Sequence, residues 1–97
     1  MIKQVVIWKV KDPSRRDEQR AGVKDTLESL RGKIPGLLAI EVGRDIGYDG
    51  GAADVALYCE FADRNALDAY QTHPLHLDAK KIVAQLVTDR RVVDWEI

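Results

Sequence analysis

The chain has little of the chemistry that announces a function by composition. One cysteine, Cys59, among 97 residues rules out an internal disulfide and agrees with a reducing compartment. The two histidines, His73 and His76, fall short of the three protein ligands a catalytic zinc usually takes, with no cysteine or third histidine available to them, unless a carboxylate such as Asp78 joins them. No apolar run approaches the roughly 20 residues of a membrane span. Charge of one sign is also missing: 15 basic side chains stand against 16 acidic ones, for a formal charge of −1. Arg15-Arg16, Lys80-Lys81 and Arg90-Arg91 each have acids nearby, so no basic face offers itself to a phosphate backbone. The chain enters an apolar run at Ile2 with no charged leader and cleavable hydrophobic segment, so a cytoplasmic protein is expected. A length of 97 residues allows one domain, residues 1–97, with one core.

What the chain does have is alternation. Ile2 to Val10 places Ile2, Val6, Trp8 and Val10 on one face and Val5 and Ile7 on the other, a strand to be covered on both sides. Asp12-Pro13-Ser14 punctuates, and Ser14 with Asp17 three residues on reads as a capping pair opening a helix. Val23, Leu27, Leu30 and Ile34 then lay one apolar stripe, until Gly32 and Pro35-Gly36 end the helix. Leu37 to Arg44 reads as a second strand, with Leu38, Ile40 and Val42 on one side and Leu37, Ala39 and Glu41 on the other. Asp45 to Ala53 is a glycine-rich loop whose glycines fit neither a phosphate loop nor a dinucleotide fingerprint. Asp45, Asp49 and Asp54 lack the calcium-loop pattern and read as solvated. Asp54 to Phe61 alternates as a third strand, and Asp63 caps a helix through Ala66, Leu67 and Tyr70. Leu75, Ala79, Ile82 and Leu86 repeat at helical spacing, and Val92 to Ile97 closes the chain as a short strand.

Strand, helix, strand, strand, helix pair, strand is the order of an α+β sandwich of the ferredoxin-like kind, a four-stranded antiparallel sheet with helices on one face. The face away from the helices keeps Val5, Ile7, Leu37 and Ala39, or Trp8 and Ile40, depending on register. A large apolar face must be covered. Its simplest cover is the same face of a second copy, which predicts a homodimer whose sheets close into a shared barrel.

A phenol and two imidazoles gather only in Ala69-Tyr70-Gln71-Thr72-His73-Pro74-Leu75-His76. Pro74 biases His73 away from helical geometry, so one helix ends and another begins at this corner. An imidazole titrating near neutrality can take a proton at cellular pH, which makes His76 a candidate general base with Tyr70 as a hydrogen-bond partner. Its plainer alternative is a histidine that caps a helix or bonds a backbone carbonyl. His73 is read as structural, fixing the corner and shielding the last carbonyls of its helix. His73 and His76 could also contribute to a metal site, but no third His is available, and neither metal nor cofactor is expected. Trp8 and Trp95 are read as core or dimer packing, and Cys59 as an inert core thiol.

The opening Ile2-Lys3-Gln4-Val5-Val6-Ile7-Trp8-Lys9-Val10, Ile34-Pro35-Gly36-Leu37, Glu41-Val42-Gly43-Arg44, the Tyr-x-x-His-Pro-x-His run and the closing Val92-Val93-Asp94-Trp95 together resemble the stress-responsive α/β-barrel domain (Dabb) family. The resemblance spans essentially the whole chain and implies a dimeric α+β barrel. One branch, the plant polyketide cyclase that makes olivetolic acid, implies a role for Tyr70 in orienting and polarising and for His76 as general base of an aldol condensation. A further histidine of that cyclase falls on Gln4 here, which can hydrogen-bond but not titrate. The implied function is a homodimer binding or processing a small apolar or aromatic carbonyl compound at Tyr70 and His76. Its rival is a non-catalytic stress-tolerance or assembly protein. A heme- or quinol-directed monooxygenase rests on fold analogy alone. RNA recognition finds only Tyr58 as a stacking residue on the third strand.

Overall fold

Period-two burial organises the first strand. In β1 (Ile2–Val10) the side chains of Ile2, Gln4, Val6, Trp8 and Val10 are buried, while Lys3, Val5, Ile7 and Lys9 turn to the other face. The structure, a computed structural model, describes residues 1–50 and 52–97; Gly51 of the glycine-rich loop lies outside them. After β1 come a single 3-10 turn (Pro13–Arg15), α1 (Arg16–Glu28), β2 (Leu37–Arg44), β3 (Val55–Phe61), α2 (Arg64–Thr72), α3 (Pro74–Ala84) and β4 (Val87–Glu96). The sheet order is β2-β3-β1-β4 with every neighbouring pair antiparallel. This is the ferredoxin-like α+β sheet that the order of elements predicts.

One core joins the layers. Val23 and Leu27 of α1, Tyr70 of α2, and Ala79 and Val83 of α3 meet Val6, Trp8, Ile40, Val42, Val55, Leu57, Cys59 and Phe61 of the sheet. Full burial of a side chain such as Phe61 or Val6 contributes roughly 1.5–3 kcal/mol. Edge strand β2 is not left with an open ladder. Lys24 Nζ donates to the carbonyl of Val42 at 2.9 Å, Glu28 Oε2 accepts from Val42 N–H at 2.9 Å, and Arg31 donates to the carbonyl of Ile40 at 2.5 Å. Charged side chains that occupy an edge strand's free groups block its pairing with another chain.

The structure corrects several local expectations. Ser14 and Asp17 form no capping pair. Asp12 instead accepts from Ser14 N–H and Ser14 Oγ at 3.0 and 2.6 Å, closing a turn before the helix starts, and Asp17 pairs with Arg20. The helix stops at Glu28, though Leu30 and Ile34 remain buried from the turns that follow. In β2, Leu37 pairs with Phe61 and Ala39 with Glu60. The irregularity between them puts Leu37 in the core at 9% exposure and leaves Leu38 outside at 59%, so Leu38 does not share the face of Ile40 and Val42. On α3 the buried positions are Ala79 and Val83, with Leu75 and Ile82 exposed and Leu86 packed at the core margin. β4 starts at Val87 rather than Val92, because an edge strand with one exposed flank carries Thr88, Asp89, Arg90 and Arg91 without apolar alternation. Finally, Asp54 is not a solvated loop acid. It accepts from Val10 N–H at 2.8 Å and from Arg16 Nε at 2.7 Å, and Asp45 lies 3.7 Å from the same guanidinium.

Two outcomes follow from this packing. Gly36 has φ +82°, and a Cβ there would lie 2.5 Å from Ala66 Cβ on α2. Gly36→Ala is expected to destabilise by roughly 1–3 kcal/mol, read as a lower urea midpoint with unchanged slope. Burial tends to raise the carboxyl of Asp54, but the Val10 N–H, Arg16 and Arg20 outweigh it and hold the value below the ordinary carboxylate range. A depressed folded value contributes stability above the unfolded pKa of about 3.9 and loses it as pH falls. Asp54→Asn should lower stability at pH 7 and flatten its decline below about pH 4 in denaturation series.

Candidate functional site

The corner between α2 and α3 is built by one residue acting twice. Asp63 starts α2 by accepting from Ala66 N–H at 2.8 Å. The helix runs to Thr72, and His73 leaves it at φ −64°, ψ 132°, the extended conformation favoured before proline. His73 then caps α3, its Nδ1 accepting from Leu75 N–H at 3.1 Å, with Pro74 at the first helical position. It fixes the corner as expected, but by satisfying an amide of the next helix rather than shielding carbonyls of its own. His76 falls in the first turn of α3 and lies back over the end of α2.

There its ring stacks on Tyr70, with centroids 4.0 Å apart and planes at 30°. On its other side Tyr70 meets Phe61 at 4.9 Å and a tilt of 59°. The two site candidates are therefore brought together, stacked rather than hydrogen-bonded to each other. Tyr70 Oη and His76 Nδ1 are both buried with no hydrogen bond of good geometry, although the backbone carbonyls of Gln71 and Tyr70 lie close enough to the imidazole to favour its protonation. A buried polar group left unpaired costs about 1–3 kcal/mol. Both residues line a cavity of about 60 Å³ shared with Gln4, Val6, Leu27, Leu57, Gln71, Lys80 and Arg90. A wider hollow of about 430 Å³ between α2 and β4, lined by Arg64, Leu67, Asp68 and Trp95 among others, contains no such buried unpaired atom among the described residues.

Electrostatics suit the pair to proton transfer. Burial lowers the His76 imidazole below its ordinary value, with Lys80 and Arg90 acting the same way against the raising effect of the Gln71 and Tyr70 backbone carbonyls. The ring is thus neutral near pH 7 and has a lone pair to offer. Burial pushes the Tyr70 phenol up, Cys59 adds to this, and Arg90 opposes it. Tyr70 consequently remains a donor at any physiological pH. Beneath them Gln4 Nε2 donates to Asp94 at 2.8 Å, and burial drives the Cys59 thiol to about 12, the inert core thiol expected.

Other candidates fall elsewhere. Trp8 is in the core, and Trp95 lies half-exposed on the sheet face away from the helices. Among the described residues no group of three or more His, Cys, Asp or Glu is placed to hold a metal. No helix among the described residues is long and apolar enough to cross a membrane. Lys80 and Arg90 were not singled out from the sequence. Lys80 had a usable signal, since it lies one helical turn after His76. Arg90 had none, because its placement depends on an irregularity in β4.

Among curated proteins nothing matches the chain. Solved structures do match it. A dimeric protein of unknown function with a ferredoxin-like fold from Bacteroides fragilis NCTC 9343 is 32% identical, with a TM-score of 0.86 over 99% of this chain and 95% of that one. A dimeric ferredoxin-like protein of unknown function from Thermobifida fusca YX is 29% identical, with a TM-score of 0.87 over 99% and 90%. An antibiotic biosynthesis monooxygenase is 21% identical, with a TM-score of 0.76 over 100% and 98%, a likeness of fold alone. The family model described as the Stress Responsive A/B Barrel Domain matches residues 2–97. With the whole sheet, all three helices and the Tyr-x-x-His-Pro-x-His corner inside that match, this chain belongs to the stress-responsive A/B barrel domain family.

Proposed function

We propose that this protein is a homodimer that binds a small carbonyl compound in the Tyr70–His76 cavity and acts on it by general-base chemistry. The observation that carries the reading is the pair of unpartnered polar atoms, Tyr70 Oη and His76 Nδ1, buried among residues that line one cavity. In a folded protein such groups call for an explanation, and a ligand oxygen and a ligand proton supply one. A neutral His76 can take a proton from the carbon beside a carbonyl. Tyr70, held protonated, can hydrogen-bond the oxygen on which negative charge then develops. Gln4, hydrogen-bonded to Asp94, lines the same space without a titrating group, so His76 is the one neutral base among the cavity's side chains.

The dimer is supported by the sheet face away from the helices. Val5, Ile7, Ala56, Tyr58, Val93 and Trp95 lie on it, and Val93 is 55% exposed. Across the strands Tyr58 stands between Glu41 and Val5, and Val5 beside Val93, which makes a continuous row. The Bacteroides and Thermobifida proteins are described as dimeric, and a second copy of this face is its simplest cover. The single reduced thiol suits a cytoplasmic setting.

A second reading, a stress-tolerance or assembly protein without turnover, draws on the size of the cavity. About 60 Å³ is well short of the roughly 150 Å³ that admits benzene, so an aromatic ligand cannot enter whole.

Sedimentation of the wild-type chain should give twice 10.9 kDa, and Ile7→Asp, which puts a charge at the centre of the sheet face, should give a folded monomer. A wild-type monomer would sink the dimer. For the site, a thermal-shift screen of aromatic acids, quinones and polyketide-like carbonyl compounds should raise the wild-type melting temperature for one class, since a ligand that binds only the folded state stabilises it. His76→Ala and Tyr70→Phe should abolish that shift while remaining dimeric. Equal behaviour of all three proteins across every class would favour assembly without turnover.

A further inference from the structure

The entrance of the Tyr70–His76 cavity carries two cations that the proton-transfer chemistry does not use. Lys80 is on α3, one turn beyond His76, and Arg90 is on β4; both line the cavity while their own residues are exposed. Among the described residues neither forms an ion pair or a hydrogen bond with the protein. The acid four residues further along the same strand, Asp94, is already engaged by Gln4.

Arg90 reaches this position through a break in the ladder. Ile7 pairs with Arg91 but Lys9 pairs with Thr88, so Asp89 and Arg90 together stand opposite Trp8. Val87 and Arg90 are an odd number of residues apart, and an unbroken strand would send them to opposite faces. The irregularity sends both to the helix side, Val87 into the core and Arg90 to the cavity. Asp89 absorbs the distortion at φ +54°, a conformation that costs an ordinary residue strain. A bulge that aims one side chain at a cavity is a common device beside functional sites.

The cavity therefore has a graded interior. Val6, Leu27 and Leu57 form apolar walls, Tyr70 and His76 offer one donor and one base, and positive charge is confined to the entrance. A volume of about 60 Å³ accepts only a few heavy atoms. We propose that the ligand is an oxo acid, or a longer molecule presenting such an end, with its carbonyl inward against Tyr70 and His76 and its carboxylate held at the entrance by Arg90 and Lys80. This rests on the carbonyl-binding reading of the same site and adds the charge of the ligand and its orientation. A neutral carbonyl compound would leave both cations to solvent and make no use of them, whereas a carboxylate accepts a charge-assisted, bidentate grip from the Arg90 guanidinium.

The test compares 4-oxopentanoate with its methyl ester by titration calorimetry at low ionic strength, on the wild-type dimer and on Arg90→Gln, Lys80→Gln and His76→Ala. The acid is expected to bind wild type at least about tenfold more tightly than the ester, the scale of one charge-assisted hydrogen bond. Raising salt should erode that preference. Arg90→Gln should weaken the acid by about tenfold, with Lys80→Gln smaller and the ester unchanged in both. His76→Ala should weaken acid and ester together. An ester that binds as well as the acid, or an acid indifferent to Arg90→Gln, overturns the oxo-acid assignment and leaves the carbonyl site standing. If neither compound binds wild type, both readings fall. Because Lys80 and Arg90 are exposed, melting curves of their variants should match wild type, which separates lost binding from lost folding.

Discussion

Pro74 denies the residue before it the helical conformation, and the arrangement of the whole second half of the chain depends on that steric fact. One continuous helix from Arg64 to Ala84 could not lay both halves on a twisted sheet. Broken at His73, it becomes two helices that dock Tyr70 and Ala79 into the same core. The turn costs little hydrogen bonding, because His73 Nδ1 accepts from the first free amide of the new helix. Its geometric result is that His76 returns over the end of α2 and stacks on Tyr70. The candidate constellation is thus a by-product of how two short helices share one sheet.

The start of β3 is held by charge rather than by a corner. Asp54 gathers Val10 N–H and the Arg16 guanidinium, tying the start of β3 to β1 and to the first turn of α1. Lys24 and Glu28 of α1 and Arg31 in the turn after it occupy the free edge of β2. The Glu28 carboxyl is held low first by Lys24 and then by the Val42 N–H. These contacts keep the outer strand in register and unavailable for further pairing. The exposed apolar side chains collect instead on the sheet face away from the helices, where Val5, Ile7, Val93 and Trp95 lie.

A rigid scaffold and an unsatisfied site coexist for a physical reason. Packing around Phe61 and Tyr70 leaves no freedom for the Tyr70 hydroxyl to turn toward solvent, and burial keeps both Tyr70 and His76 uncharged. The stability given up by leaving two polar atoms unpaired is recovered only when something else pairs them. The same cavity wall that depresses the imidazole also ends in two cations. The proton affinity of the imidazole and the positive charge beside it are therefore set by one arrangement of residues.

Much of this was legible in the linear chain. The alternation of Val55, Leu57, Cys59 and Phe61 and the order of elements implied the sheet with its helices. The His-Pro corner implied a break with Tyr70 and His76 beside it. These are local properties, set by backbone periodicity and by the ring of proline, and they survive any tertiary context. Other features were decided only by packing. Leu37 rather than Leu38 faces the core because of an irregularity opposite Glu60 and Phe61, and Asp54 is a tether because Arg16 lies across from it. Arg90 reaches the cavity because β4 slips by one residue opposite Trp8. A strand's register depends on its neighbour, which lies far away in sequence, and a one-residue slip reverses every side chain beyond it. The sequence by itself therefore determined that a phenol and an imidazole would meet at a helix corner. The tertiary structure alone decided that they would stack, keep their polar atoms unpaired, and share their cavity with an arginine from the far end of the chain.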